Sequence, residues 1–329
     1  MTDDGRDRPE PVAPPTTSGS HAALGEGREF DAIRRMLDRW GPRARAIGDD
    51  AAVIEGIRSR KLVASIDTSV ENVHFMREWL SPAETGYRAA TAALSDLAAM
   101  GAEPLGILAA IGLPDSWLHD LDGIADGIGE AAAFAAAPIL GGDLSSATEL
   151  TLTFTVLGAA SSPLLRTSAH PGDRVYVTGR LGGSLAALRA LQQGLEPLPE
   201  HRSRFARPVA RLREAVWLSR HGANAAIDIS DGLRSDLEHI AAASGVTLVI
   251  DLDRLPTLAG LSPIDAAQSG EEYEIVVMSS RDIDAAAFQK RFGVALSRIG
   301  NVESGPSEVR FVADGKPVQV PRGYLHFGH

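Results

Sequence analysis

The sequence predicts an α/β protein of two domains in which helices are layered on sheets. Short strand-like runs alternate with amphipathic helical patterns in both halves of the chain, which is typical of mixed α/β folds. The length of 329 residues favours two domains over one. Turn-rich stretches at 161–163 and 170–173 mark the midpoint. We therefore predict a flexible tail over 1–25, an N-terminal α/β domain over 26–160 and a C-terminal α/β domain over 161–329.

The N-terminal half carries the clearest local signals. Apolar residues recur at helical spacing over 30–40 and predict an amphipathic helix there. Ser81, followed by Pro82 and by Glu84 three positions later, forms a capping box that predicts a long helix to about Met100. The remaining patterns in this half predict strands over 51–55, 61–67, 105–113 and 150–157 and a helix over 118–136.

The C-terminal half mixes the two element types again. Alternating and β-branched runs predict strands over 174–178, 247–251 and 273–278. Helical spacing predicts helices over 184–191, 208–219 and 233–243. No repeat period is visible, which argues against a solenoid.

Composition excludes several classes of protein. The net charge of −11 argues against a broad nucleic-acid or anionic-membrane surface. The chain has no cysteine, and therefore no disulfide, thiolate nucleophile or Cys-based zinc site. No apolar run approaches the roughly 20 residues that span a bilayer, and residues 1–24 do not resemble a secretory signal. We expect a cytoplasmic protein.

Acidic residues stand where strands end or loops turn. Five short segments share this pattern, namely 47–51, 65–68, 94–97, 140–143 and 227–232. Mg²⁺ prefers oxygen ligands and is usually held by a few carboxylates together with substrate phosphates and water. For any one segment, an ordinary turn or helix cap explains Asp and Gly better. Five together favour a metal site.

Other patterns leave two interpretations open. Gly179, Gly182 and Gly183 precede a predicted helix whose amides could hold phosphate, but an ordinary strand-to-helix turn explains them equally well. His74 lies close to the acidic segments, although a lone histidine is more often structural. The P-loop, the protein-kinase motifs and the H-E-x-x-H zinc helix are all missing, so a standard NTPase is excluded.

The acidic segments, taken in order, resemble those of the thiamine-monophosphate kinases, members of the aminoimidazole ribonucleotide synthetase-like superfamily. The resemblance runs from about Glu29 to Phe327. It rests on I-G-D-D-A, D-T-x-V-E-x-x-H-F, L-S-D-L-A-A-M-G-A, G-G-D, P-G-D-x-x-Y-V-T-G, I-D-I-S-D-G-L and G-E-x-Y-E.

This resemblance implies a two-domain aminoimidazole ribonucleotide synthetase-like fold and a homodimer whose N-terminal domains pair through their sheets. ATP and several Mg²⁺ ions would lie near that interface. The implied metal-site residues are Asp50, Ser65, Asp67, Asp96, Asp143, Asp228 and Asp231, with Asp49 as a possible addition. Asp67 and Asp143 would also be catalytic. The implied ATP contacts are Gly142, Asp143, Arg166 and Ser230, and the implied contacts to thiamine monophosphate are His74, Glu271 and Tyr324.

Three positions depart from the family pattern. Ile66 replaces a common Thr, so a metal contact could be lost there; Ser269 replaces a common Gly, and Glu272 a common Asp. Because a phosphate monoester is largely dianionic at neutral pH, with a second pKa of about 6, it needs no strong base to act as nucleophile. We expect direct in-line transfer without a phosphoenzyme.

Rival functions remain open. Selenophosphate synthetases and the hydrogenase-maturation relative depend on cysteine, which this chain lacks. Aminoimidazole ribonucleotide synthetase shares the fold that the resemblance implies but lacks the D-T-x-V-E-x-x-H-F and G-E-x-Y-E motifs. A metal-dependent phosphohydrolase would also gather aspartates, and a non-catalytic ion-binding dimer would show no nucleotide turnover.

Overall fold

The N-terminal half forms a five-stranded mixed sheet. The computed structural model describes residues 52–57 and 59–323. Its first five strands are β1 (Ala52–Ile57), β2 (Arg60–Val70), β3 (Glu103–Leu113), β4 (Ile139–Ser146) and β5 (Thr151–Ala160), in the spatial order β1-β2-β5-β3-β4. β3 and β4 are parallel, and the other neighbours are antiparallel. The predicted helix over 30–40 lies outside the described residues.

Helix α1 (Pro82–Ala99) covers one face of this sheet, and α2 (Leu121–Phe134) packs against α1. The predicted capping box is confirmed: the Ser81 hydroxyl accepts the Glu84 amide, and the Glu84 carboxylate accepts the Ser81 amide. The helix ends at Ala99, with Met100 as its C-cap and Gly101 following with φ of 60°. Nearly every residue of α1 is buried, so this helix is the centre of the N-terminal core.

The two helices approach so closely that glycine is required at their contact. A Cβ at Gly127 of α2 would overlap the carbonyl of Ala83 in α1, whereas a Cβ at Gly129 would meet nothing within 4 Å. We expect Gly127→Ala to destabilise the protein by about 1–3 kcal/mol through overpacking. Gly129→Ala on the same helix should stabilise it by up to about 1 kcal/mol. Urea unfolding of both variants checks this, and equal stabilities would contradict the close contact.

The C-terminal half forms a seven-stranded sheet. Its strands are β6 (Arg174–Thr178), β7 (Ala223–Asp228), β8 (Thr247–Asp251), β9 (Ile275–Ser279), β10 (Leu296–Glu303), β11 (Glu308–Ala313) and β12 (Lys316–Val318), in the order β12-β11-β8-β10-β6-β9-β7. Its helices are α3 (Gly183–Gln192), α4 (Pro199–Ala206), α5 (Leu212–Arg220), α6 (Leu233–Ser244), α7 (Pro263–Gln268) and α8 (Ala285–Phe292).

The helix predicted over 208–219 is present, but its predicted start is wrong. The preceding helix α4 ends at Ala206, residues 208–211 are not helical, and α5 begins only at Leu212. Pro208 lacks an N–H and disfavours helical backbone in the residue before it, and Arg207 has an extended φ of −133°. The predictions also missed β4, β7, α4, α7, α8 and the last three strands.

The two halves share one core. Buried side chains of α1, β3 and β5 belong to the same hydrophobic cluster as side chains of α4, α5 and α8. A second cluster fills the space between the seven-stranded sheet and α6. The predicted domain boundary after residue 160 therefore separates two sheets but not two independent cores. Within residues 52–57 and 59–323, no helix is long and apolar enough to cross a membrane.

Candidate active site

The last turn of α1 connects the acidic segments of the two halves. The Ser65 hydroxyl on β2 donates to Asp96 at 2.5 Å, and the neighbouring Ser95 hydroxyl donates to Asp228 at 2.5 Å. Asp228 is the last residue of β7 and is almost fully buried. Because side chains alternate along a strand, Asp67 lies on the same face of β2 as Ser65. Four of the predicted metal-site residues thus gather around one helix end.

The loop after β7 adds further carboxylates. Asp236 in α6 accepts the backbone amides of Ser230 at 3.1 Å and Asp231 at 3.4 Å, so a buried side chain holds the loop in shape. Burial raises the pKa of Asp236 well above its ordinary value, and the charges of Asp231 and Asp228 raise it further. Arg166 lowers that pKa in part, which places this predicted ATP contact beside the same cluster.

The oxygen atoms gathered around the last turn of α1 are of the chemical type that binds Mg²⁺. Carboxylates and the Ser65 hydroxyl are hard oxygen ligands, and the repulsion that raises the pKa of Asp236 is the kind that a divalent cation relieves. The pKa of the Tyr273 hydroxyl is raised by burial and then by the negative charges of Glu271, Asp67 and Asp228. Carboxylates from both halves of the chain therefore lie close enough to this one hydroxyl to influence it. Within the described part of the chain, however, no three His, Asp or Glu side chains are close enough to form a metal cluster.

Asp143 lies apart from these residues. β4 is an exposed edge strand in which Asp143 pairs with Ala110 and Gly142 pairs with Ala109. Following the register across β3 and β5, Asp143 falls in the same row as Thr68, on the face opposite Ser65 and Asp67. The two ends of that row, Thr68 on β2 and Asp143 on β4, are three strand spacings apart, or about 14 Å. A ligand oxygen lies only about 2 Å from the Mg²⁺ ion that it binds. One chain therefore does not bring Asp143 and Asp67 to a common ion.

Ile66 also faces away from Asp67. Its side chain is 66% exposed on the uncovered face of the sheet, whereas Ser65 and Asp67 point toward α1. A hydroxyl at this position would not contact an ion held by Ser65 and Asp96. The metal contact expected to be lost at Ile66 is therefore not a contact to an ion held by Ser65 and Asp96. Ile66 does share the uncovered face of the sheet with Asp143.

Two predicted contacts to thiamine monophosphate meet through an arginine. Arg88 of α1 donates to the His74 carbonyl at 3.0 Å and forms an ion pair with Glu271. The Val70 amide donates to Nδ1 of His74 at 3.0 Å, so the neutral ring carries its proton on Nε2. The predicted residues Asp49, Asp50 and Tyr324 lie outside the described residues.

The glycine-rich turn before α3 is structural. The buried Glu272 carboxylate accepts the amides of Gly182 at 2.9 Å and Ser184 at 3.1 Å, and the Ser269 hydroxyl at 2.5 Å. These amides are already used as donors, so the alternative of a phosphate site at this helix end is not supported. Ser269 and Glu272, two departures from the family pattern, thus form one helix cap. Burial raises the pKa of Glu272.

Three residues of this region were missed from the sequence, namely Ser95, Asp236 and Arg88. Ser95 directly precedes a predicted ligand, and Asp236 stands five positions after another, so proximity was a usable signal for both. Arg88 is the one charged residue among the buried positions of α1, and a charged residue on a buried face needs a buried partner. The partners themselves are distant in sequence.

A separate cavity of about 500 Å³ lies between the start of β3 and helices α5 and α8. Trp217, Phe292 and Arg213 are among its lining residues, and none of the predicted site residues lines it. It is therefore distinct from the region around α1.

Comparisons with known proteins show the family of this chain. Residues 48–160 match the model of the AIR synthase related protein, N-terminal domain, and residues 170–313 match the corresponding C-terminal domain. The thiamine-monophosphate kinase of Salmonella typhimurium is 35% identical over 91% of this chain and 98% of its own length. The chain belongs to the thiamine-monophosphate kinase family. The predicted fold class, an α/β protein with the two-domain aminoimidazole ribonucleotide synthetase-like fold, is thereby confirmed.

Solved structures of the thiamine-monophosphate kinase family extend the match to three dimensions. A structure described as AaThiL complexed with AMPPCP and TMP has a TM-score of 0.80 and 30% identity, covering 92% of this chain and 97% of that one. The hydrogenase maturation protein HypE has a TM-score of 0.67 at 18% identity, covering 79% and 88%. At that identity HypE shares the fold alone.

Proposed function

We propose that the protein is an ATP-dependent kinase that transfers the γ-phosphate of ATP to thiamine monophosphate, forming ADP and thiamine diphosphate. The observation that carries this proposal is the 35% identity to a thiamine-monophosphate kinase over nearly the whole length of both chains. The similarity to the AaThiL structure with AMPPCP and TMP supports it, because AMPPCP is an ATP analogue. The carboxylates gathered around α1 fit a reaction between two phosphates.

The chemistry follows from charge. The phosphate of the acceptor is largely dianionic near pH 7, with a second pKa of about 6, and can attack directly. Bound Mg²⁺ would supply neutralisation of the phosphate charges. The ligands proposed for it are Asp50, Ser65, Asp67, Asp96, Asp143, Asp228 and Asp231. Direct in-line transfer then requires alignment of the two phosphates and no phosphoenzyme.

The two substrates are assigned to different parts of the site. Gly142, Arg166 and Ser230 are proposed to contact ATP, and the position of Arg166 beside Asp236 supports this. His74, Glu271 and Tyr324 are proposed to contact thiamine monophosphate. A carboxylate and an aromatic ring both attract the cationic thiazolium. The cytoplasmic location stays a prediction.

A homodimer completes this proposal. The face of the five-stranded sheet opposite α1 carries Ile66, 66% exposed, and Leu108, 36% exposed, and no described element covers it. A second copy packed on this face would bury both side chains, and exposed apolar surface of this kind marks interfaces. Asp143 lies in a row of the same face. We therefore assign Asp143 to the site of the partner subunit in the proposed dimer.

The test is incubation of the purified protein with thiamine monophosphate, ATP and Mg²⁺, followed by chromatographic detection of thiamine diphosphate. We expect magnesium-dependent product with the wild type and a loss of at least about 100-fold with Asp143→Asn, because one charge that stabilises the transition state is removed. Release of inorganic phosphate without ATP would instead indicate a phosphohydrolase. A folded protein that binds ATP but makes no diphosphate would refute the substrate assignment.

A further inference from the structure

We propose that Arg88 is a positioning residue that sets the specificity of the site for thiamine monophosphate by holding His74 and Glu271 in place. This inference rests on the proposed function. Arg88 is only 5% exposed and lies in the second turn of α1. Its guanidinium donates to the His74 carbonyl in the N-terminal half and pairs with the Glu271 carboxylate in the C-terminal half. It is thus a direct link between the two assigned substrate contacts.

A buried guanidinium is costly unless its hydrogen bonds and charge are matched. Here each terminal nitrogen has a different partner, and the guanidinium carbon lies 4.5 Å from the ring centroid of Phe205 in α4. Arginine suits this arrangement because its planar fork fixes the direction of each donor and stacks on aromatic rings. One side chain of α1 therefore contacts three other parts of the fold: the His74 turn, the Glu271 loop and α4.

Glu271 depends on this link for its orientation. Its backbone lies in the left-handed region with φ of 53°, which is unfavourable for a residue with a side chain. The Glu271 amide donates to the Ser230 carbonyl at 2.6 Å, so the backbone is fixed by the loop after β7. Arg88 fixes the side chain, which keeps 35% of its surface exposed. The carboxylate can therefore keep its arginine and still attract a cationic ligand.

His74 is held from the other side. Its amide donates to the Val70 carbonyl at 2.9 Å and its Nδ1 accepts the Val70 amide, which fixes the turn and the ring. The bond from Arg88 to the His74 carbonyl ties this turn to α1. Loss of Arg88 would free the Glu271 side chain and untie the His74 turn from α1, while leaving the hydrogen bonds of Ser65 and Ser95 in place. The effect should therefore fall on one substrate.

The test is a double-mutant cycle of Arg88→Met and Glu271→Gln in the full-length protein. We expect Arg88→Met to raise the KM for thiamine monophosphate on the order of tenfold or more while the KM for ATP changes less than about twofold. Arg88→Lys, which keeps the charge but not the fork, should recover part of the loss. In the Glu271→Gln background, Arg88→Met should add much less than it does alone, because the two residues act as one unit.

The control is Arg202→Met, which breaks another ion pair across the halves, from Arg202 to Glu84 at 2.8 Å, without touching His74 or Glu271. Circular dichroism and thermal melting confirm folding of each variant. A folded Arg88→Met protein with an unchanged KM for thiamine monophosphate, or fully additive effects in the cycle, would overturn the inference. A wild type that forms no thiamine diphosphate would instead show that the proposed function has failed.

Discussion

In the proposed homodimer, Asp228→Asn in both subunits, or Asp143→Asn in both, should abolish activity. Mixed dimers with one subunit of each variant should regain it. Asp228 is buried and bonded to Ser95 of the same chain, so its loss damages the site formed around that chain's α1. Asp143 lies on the opposite face of the sheet and is assigned to the partner's site. Removal of either should lower kcat by at least about 100-fold.

A mixed dimer contains one site that lacks both aspartates and one that lacks neither. Random pairing makes half of all dimers mixed, and one of their two sites is intact, so about a quarter of wild-type activity is expected. The measurement is thiamine diphosphate formation after co-expression of the two variants with different affinity tags. Asp228→Asn mixed with Asp96→Asn is the control, because those residues serve the same chain's site and should not complement. If purified mixed dimers of the Asp143→Asn and Asp228→Asn variants form no thiamine diphosphate, Asp143 belongs to the site of its own chain.

The local parts of this fold were readable from the sequence. The capping box of Ser81 and Glu84 predicted the start of α1, because both partners lie within one turn. The strand over 174–178 was predicted at its observed bounds, since a short alternating run there is preceded by a clear turn. The acidic segments could be recognised because chemistry and turn geometry coincide at them. In each case the deciding residues are neighbours in sequence.

The remaining parts depend on contacts between distant residues. β4 was not predicted, because its Gly-Gly-Asp segment and its exposure resemble a loop, and only its pairing with β3 makes it a strand. The bond from Ser95 to Asp228 spans 133 positions, and that from Arg88 to Glu271 spans 183. Which face Asp143 occupies depends on a register across four strands. No local pattern contains that information.

The largest stability effect should come from Glu274, which is fully buried among cations. Arg211 donates to both of its oxygens at 2.7 and 2.6 Å, Arg204 donates at 2.5 Å, and Thr178 donates at 2.6 Å. We expect Glu274→Gln to lower the free energy of unfolding by about 3–5 kcal/mol at pH 7, because two arginines would lose their buried counter-charge. Glu238→Gln, at a partly exposed carboxylate that pairs with Arg234 and Arg322, should cost at most about 1 kcal/mol.

The pH dependence of this effect separates lost charge from lost packing. Burial alone would raise the pKa of Glu274, but Arg211 and Arg204 outweigh it and lower the pKa from 4.5 to about 2. A carboxyl with a lowered folded pKa stabilises the protein above its unfolded pKa, so this contribution of about 3 kcal/mol is complete above about pH 5. It declines as the pH falls from 4.5 toward 2. The gap between the unfolding free energies of wild type and Glu274→Gln, measured with urea, should therefore narrow steadily from about pH 4.5 and close only near pH 2, whereas a pH-independent gap would indicate that packing, not charge, makes Glu274 necessary.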